Sequence, residues 1–462
     1  MTASTSTPVT DRAPVLEELA QLLGANLHTD PVTLDAMRAD KSGHVSPGAP
    51  LAVVLPRSIA EVQAVMRLAT AHRIAVVTRG AGTGLAGGAL ASAGEIVLST
   101  LAMTRILEIN AADELAVVEP GIINAEFNRA LAPHGLWFAP DPASREISTV
   151  GGNIATNAGG LLCNKYGVTR DAVLGLSVVL ADGRLVEMGH RSTKGVTGLD
   201  LTSLMVGSEG LLGVIVGATV RVRRITPGSV FTIAAYFADV RAAAAASASV
   251  TASGIRASVM ELMDAACLAA VGPYLGLDLA SRGGAYLVAQ TDGGSSEEEA
   301  RAIAAILAAG GGLPSITGDY AEGEALLAIR RAMHPALEST GTVLIEDVSV
   351  PRSALPAMFD AIAAIEDRFG ITIPTAAHAG DGNLHPNFVF AGPEVPPLIW
   401  EAADALFQAA IELGGTLTGE HGIGLLKKRW LRDELGDDQF KLQQQVKSLF
   451  DPLGLLNPGK VF

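Results

Sequence analysis

Three of the nine histidines, His378, His385 and His421, fall in two short segments late in the chain, and Glu420 adjoins the last of them. Imidazole and carboxylate hold divalent cations while leaving coordination positions open, so two His and one Glu suit zinc or a similar ion, with manganese and iron as alternatives. In the run Pro374-Thr-Ala-Ala-His-Ala-Gly-Asp-Gly-Asn-Leu-His-Pro-Asn387, the dipeptide Asp381-Gly382 signals a two-residue hairpin. Taken literally, it pairs Gly380 with Asn383, Ala379 with Leu384 and His378 with His385. Directly opposed β-carbons lie about 4.5–5.5 Å apart, within reach of one ion. Asn387, two residues on, shares that face. Gly419-Glu-His-Gly422 presents a carboxylate and an imidazole in a glycine-flanked turn, where side chains project into a cleft and backbone approaches a ligand. A lone histidine is ordinarily a hydrogen-bonded core or surface residue; the clustering argues for a ligand set.

Two glycine-rich stretches stand earlier in the chain. Gly82-Thr-Gly84-Leu-Ala-Gly87 follows a β-rich run over residues 74–78 that ends at Arg79, and it satisfies the spacing of a dinucleotide fingerprint. That fingerprint requires a helix next, and residues 88–94 are too short and glycine-flanked to supply one before the strand expected from Glu95. A loop whose backbone N–H groups face a diphosphate accounts for the glycines better, because they admit close approach and unusual dihedrals. A tight turn that binds nothing is the competing reading. The second stretch, residues 149–160, decides for a cofactor, since two such loops are hard to explain structurally.

The elements that must position these groups are legible in outline. Ser58 and Glu61 form a capping box before the apolar stripe Ile59, Val62, Val65, Met66 and Ala69. Strands and glycine turns alternate over residues 116–222, and the character changes near Thr226-Pro-Gly228. Beyond it, helices expected over 297–309, 320–331, 353–369 and 397–413 alternate with strands over 285–290, 343–350 and 388–390, an α+β arrangement. The expected division is a flexible segment over 1–33, a cofactor domain over 34–226, a substrate and metal domain over 227–440, and a segment over 441–462 that returns to the first domain. A chain of 462 residues exceeds what one core supports, which agrees with two domains. Hydrophobic residues at 49% exclude a largely disordered protein. A net charge of -15 without a basic patch argues against nucleic acid and acidic membrane surfaces as partners. Cys163 and Cys267 are too few for a disulfide framework, and Met1 to Thr10 read as a disordered tail without the pattern of a secretory signal, so a cytoplasmic protein is expected, with peripheral docking at the inner face of the membrane as an option.

Taken in series, Pro56-Arg-Ser58, Arg79-Gly-Ala-Gly-Thr-Gly-Leu85, Gly151-Gly-Asn153, Gly207-Ser-Glu-Gly210 and Asn457-Pro-Gly-Lys460 resemble the FAD-binding domain of the vanillyl-alcohol oxidase superfamily. More narrowly, the chain from about Leu34 resembles the branch of glycolate oxidase D-subunits, D-lactate dehydrogenases and D-2-hydroxyglutarate dehydrogenases. The resemblance implies a two-part FAD-binding domain with an α+β cap domain. It implies an FAD site built from Pro56, Arg79, Gly80, Ala81, Gly82, Thr83, Gly84, Leu85, Pro140, Ser148, Thr149, Gly151, Gly152, Asn153, Ala155, Thr156, Asn157, Gly160, Glu209, Gly210, Gly213, Ile215 and Asn457, with the last reaching the flavin side. No His lies in residues 79–88, so the FAD is expected to be non-covalent.

The resemblance assigns the metal, zinc being expected, to His378, His385 and Glu420, and leaves His421 free as the base. Oxidising an alcohol carbon needs a hydride acceptor, which the flavin supplies, and a group to take the hydroxyl proton; His421, titrating near the working pH, takes that role. Arg330 matches a position that clamps the substrate carboxylate, with Arg331 the alternative one residue on, Asn387 assisting and His334 on the same helix face. Where the hydroxyglutarate enzymes carry a Lys before an Asp-x-Ser-x-Pro segment, this chain has Ile345, which favours lactate, glycolate or another small D-2-hydroxy monocarboxylate over hydroxyglutarate. The electron acceptor (quinone, cytochrome, electron-transfer flavoprotein or iron–sulfur subunit) is open, as is a homodimer. Other readings are the FAD-binding subunit of a multi-component glycolate oxidase and a non-catalytic flavin-binding module.

Overall fold

β-Branched runs separated by glycine turns make two sheets in the first half of the chain. In a computed structural model that describes residues 12–462, Ala52–Val54, Ile96–Ser99 and Val76–Arg79 lie side by side in parallel, and Leu27–His28 adds antiparallel to the first. The tail expected at Met1 to Thr10 lies outside the described residues. The helix Ile59–His72 links two of these strands and buries Val62, Val65, Met66 and Ala69, the three larger side chains each stabilising by about 1.5–3 kcal/mol. Ser58 caps it by accepting from the Glu61 N–H, but the Glu61 carboxylate reaches back to the Arg57 N–H, so the box closes one residue early. Residues 1–33 were expected to be flexible throughout. Instead the helix Ala13–Leu23 buries Val15, Leu19 and Leu23 in the same core as Ile59–His72, because its apolar residues recur at helical spacing.

The second sheet is antiparallel, in the order Ile106–Asn110, Leu115–Val118, Val214–Arg221, Val173–Val179, Leu185–Gly189. The stretch read as a second glycine loop begins as a helix, Val150–Thr156, with Thr149 accepting from the Gly152 N–H at 3.1 Å. The glycines serve close packing there: a β-carbon on Gly151 would lie 2.5 Å from the Pro120 β-carbon. Leu456 makes a parallel bridge to Val76, so the C-terminal segment runs beside the first sheet.

From Phe231 onward the strands form one large sheet, in the order Leu313–Thr317, Phe231–Phe237, Ala285–Thr291, Val259–Asp264, Thr375–His378, Asn383–Phe390, Thr342–Ile345, with Val348–Ser349 also on Asn383–Phe390. Alternate residues face opposite helices. Ile233, Met260, Leu262, Leu287 and Ala377 pack with Val240–Ala252, Ser296–Ala309, Leu355–Phe369 and Pro397–Glu412. Val259, Met263, Tyr286 and Ala376 pack with Ala265–Leu275, Tyr320–Arg331 and Met333–Glu338. The continuous strand expected over 343–350 breaks at Glu346-Asp347, whose buried carboxylates turn toward Lys427. Among the described residues no helix is long and apolar enough to cross a membrane.

Candidate active site

One cavity of about 770 Å³ joins the early glycine segments to the late histidines. Its wall includes Gly80, Ala81, Gly82, Thr83, Gly84 and Leu85 from the first stretch. The second stretch and the Glu209 region add Thr149, Gly151, Gly152, Asn153, Ala155, Thr156, Gly160, Glu209, Gly210, Gly213 and Ile215. His378, His385, Glu420, His421 and Arg330 complete it.

The loop at residues 80–85 is a cradle that side chains would fill. A β-carbon on Gly80 would lie 2.4 Å from Thr149 Oγ1, and one on Gly82, at φ 71°, would lie 2.2 Å from an Arg79 guanidinium nitrogen. Arg79 itself is buried behind the loop and donates to the Ala89 carbonyl at 2.8 Å. Glu209 adopts φ 50° and accepts from the Ile423 and Gly424 N–H groups at 2.8 Å each, which fixes the turn that follows His421. Burial raises its pKa.

Six residues expected at the FAD site stand outside the cavity wall: Pro56, Arg79, Pro140, Ser148, Asn157 and Asn457. Most of them brace it. The Pro140 carbonyl accepts from Asn124, Ser148 Oγ accepts from Asn153, and Asn157 Oδ1 accepts from the Arg170 N–H. Asn457 donates to the Gly88 and Glu209 carbonyls at 3.0 and 2.6 Å while accepting from Lys460, so its amide ties the two walls together and does not reach into the cavity.

At the other end the hairpin differs from the expected one. His378 pairs with Asn383 and Ala376 with His385, across a four-residue connection at 379–382. The Asp381 and Gly382 N–H groups both donate to the His378 carbonyl at 3.0 Å, with Gly382 at φ 82°, and this closes the chain earlier than a two-residue turn would. The offset amounts to two residues, so side-chain parity survives and both imidazoles stay on one face, their centroids 5.0 Å apart. Glu420 Oε1 lies 3.5 Å from His378 Nε2, 3.2 Å from His385 Nε2 and 3.8 Å from His421 Nε2. One ligand atom each from His378, His385 and Glu420 falls within a 4.8 Å span, which fits a single cation. Burial would raise the Glu420 carboxyl, but His378 and His385 outweigh it and hold its pKa well below the ordinary value.

His421 stacks on His385 at 5.1 Å, nearly parallel. Burial pushes its pKa down to about 4, so the ring is neutral across the physiological range and does not titrate near the working pH as expected. Neutrality is the state a base requires. Arg330 lies with its Nε 2.9 Å from Glu261 Oε2, without the alignment of a hydrogen bond, and its terminal nitrogens bond to no other described residue. Arg331 also lines the cavity but pairs with Glu324 at 2.8 Å, which leaves Arg330 as the free fork. His334 and Ile345 line the cavity as well. Asn387 does not: it is fully buried, and its amide nitrogen donates to the Pro374 and His385 carbonyls, behind the histidine.

Two carboxylates were missed. Asp347 is fully buried, accepts from Asn383, Thr418 and the Glu420 and His421 N–H groups, and so organises the Gly419–Gly422 turn. Glu261, 1% exposed, accepts from His378 Nδ1 at 2.7 Å. The available signal was a charge inside an apolar strand: Val-Met-Glu-Leu-Met for one, Leu-Ile-Glu-Asp-Val for the other. Gly159 was also passed over. A β-carbon there would lie 2.4 Å from Glu420 Oε2, so Gly159→Ala is expected to displace that carboxylate and lower the affinity of the cluster for an added divalent cation at least tenfold, measured by competition with a chromogenic chelator; unchanged affinity would show that Glu420 has room to move.

Residues 50–189 match the family described as FAD binding domain, and residues 226–461 match FAD linked oxidases, C-terminal domain. The chain belongs to the FAD-linked oxidases, an oxidoreductase family. It is 38% identical over 421 residues to glycolate oxidase subunit GlcD of Bacillus subtilis, covering 89% of each chain. It is 37% identical over 415 residues to D-lactate dehydrogenase of Archaeoglobus fulgidus, covering 88% of this chain and 90% of that one. With D-2-hydroxyglutarate dehydrogenase of Xanthomonas citri the figure is 35% over 486 residues, 97% of each. The fold is that of p-cresol methylhydroxylase, with a TM-score of 0.78 at 16% identity over 97% of this chain and 96% of that one.

Proposed function

We propose that this protein oxidises a small D-2-hydroxy acid to the 2-oxo acid with non-covalent FAD and a divalent cation, zinc being expected. The observation that carries the proposal is the single cavity shared by the glycine cradle and the His/Glu cluster. When bound, FAD supplies a hydride acceptor and the cation a Lewis acid for the substrate hydroxyl. His378 and His385 through Nε2, with the Glu420 carboxylate, hold the cation. The Arg330 fork takes the substrate carboxylate in a bidentate grip and so fixes which face of the α-carbon points toward the flavin end. His421, neutral through burial, accepts the hydroxyl proton at Nε2. Asp347 keeps the turn carrying Glu420 and His421 in place through its two backbone contacts. Asn387 supports His385 from behind.

Ile345 in the cavity wall offers no charge to a second carboxylate, which favours lactate or glycolate over hydroxyglutarate. Anaerobic mixing with glycolate, D-lactate and D-2-hydroxyglutarate tests this directly. The flavin absorbance should bleach with a monocarboxylate first; bleaching with none of a broad panel of D-hydroxy acids would favour a non-catalytic flavin module instead. The relatives named as oxidase subunits support a second reading, in which this chain reduces its flavin and passes electrons to a partner subunit.

A further inference from the structure

The cation cluster and the substrate fork come from different elements, yet one carboxylate touches both. Glu261 sits in the middle of Val259–Asp264, pairs in register with His378 on the adjacent strand, and faces the helix Tyr320–Arg331 that carries Arg330. Its Oε1 accepts from His378 Nδ1 at 2.7 Å and its Oε2 lies 2.9 Å from Arg330 Nε. We propose that Glu261 is a positioning residue that sets the cation ligand and the carboxylate clamp relative to each other. Its first arm keeps the proton of His378 on Nδ1 and leaves Nε2, the nitrogen facing Glu420, free to ligate. Its second arm holds Arg330 by charge, 2.9 Å from Nε, and leaves both terminal nitrogens for a ligand. A 1% exposed carboxylate in an apolar strand is poorly tolerated without partners of this kind. Because both arms leave one carboxylate, cation affinity and substrate affinity both depend on a residue that touches neither ligand.

The inference rests on the proposed function for both its substrate and its cation reading. Glu261→Gln is isosteric and cannot satisfy both arms. With the amide oxygen toward His378, the amide N–H₂ faces the Arg330 N–H; reversed, it drives the His378 proton onto Nε2. The expected result is retained FAD, zinc affinity lower by roughly 10–100-fold in chelator competition, and a raised KM for D-lactate. Arg330→Met should raise the KM while leaving zinc affinity within about twofold, since it leaves the His378 arm intact. Wild-type zinc affinity or wild-type KM in Glu261→Gln would overturn the proposal. If that variant fails to retain flavin, Glu261→Asp serves: the shortened side chain keeps its charge but cannot keep both contacts, so both readings at wild-type values would overturn it equally. A wild-type flavin that no D-hydroxy acid reduces would instead defeat the substrate reading of the proposed function and leave its cation reading standing.

Discussion

Replacing His421 with alanine should leave FAD and the cation bound and slow flavin reduction by roughly 10³-fold, the scale of a lost general base. The expectation of an intact site has a structural reason. The turn carrying Glu420 and His421 is held by backbone N–H groups donating to Asp347 and by Glu209 beyond it, and none of these contacts involves the His421 ring. The ring stacks on His385, approaches Glu420 at 3.8 Å and interacts electrostatically with the Asp347 carboxylate. Losing these contacts should cost stability modestly, so the melting temperature should fall little while single-turnover reduction collapses. Stopped-flow absorbance of the flavin under anaerobic conditions reads the rate, and metal analysis of the same sample reads the site. Near-normal reduction would remove His421 from the proton-accepting role and turn attention to the rest of the cluster.

Stripping the cation should abolish turnover by more than about 10³-fold, with FAD retained and activity restored by added zinc. The two ends of the cavity explain why the cofactors separate. The glycine cradle is held by Arg79 and Asn457, outside residues 378–421, whereas the side chains that could hold a cation come from the hairpin and the Gly419–Gly422 turn, and the two ends meet through Glu209. Without the ion, Glu420 Oε1 keeps its contacts with His378 Nε2 at 3.5 Å and His385 Nε2 at 3.2 Å, so the apo site should stay folded. Full activity in protein shown to be metal-free would retire the cation; loss of FAD together with the ion would contradict the separation of the two ends.

The convergence of His378, His385, His421 and Glu420 was legible because it is concentrated: three histidines and a glutamate in two short glycine-punctuated segments have few structural explanations. The helix Tyr320–Arg331 was equally legible, since Asp319 caps it by accepting from the Glu322 N–H and its end is marked by two arginines. The hairpin register was not. An Asp-Gly pair favours a two-residue turn locally, but the His378 carbonyl accepts two N–H groups and converts it into a four-residue one. The stretch at 149–160 was expected as a loop and begins as a helix, because glycine is used both for loops and for close packing, and only the proximity of Pro120 to Gly151 separates the two uses. The pairings of Glu261 and Asp347 were illegible for a related reason: a charge in an apolar strand marks a buried carboxylate, but the partners are 117 and 74 residues away, at His378 and His421, and no local pattern announces them. Asn387 went the other way, correctly placed on the His385 strand but turned behind it.

The most direct test is a crystal structure of the FAD-loaded protein with anomalous data collected across the zinc edge. The predicted result is an anomalous peak bonded to His378 Nε2, His385 Nε2 and Glu420, with the isoalloxazine ring in the same cavity and the diphosphate against residues 80–85. A cation bound elsewhere, or a flavin whose ring lies away from His421 and Arg330, would contradict the proposed chemistry outright.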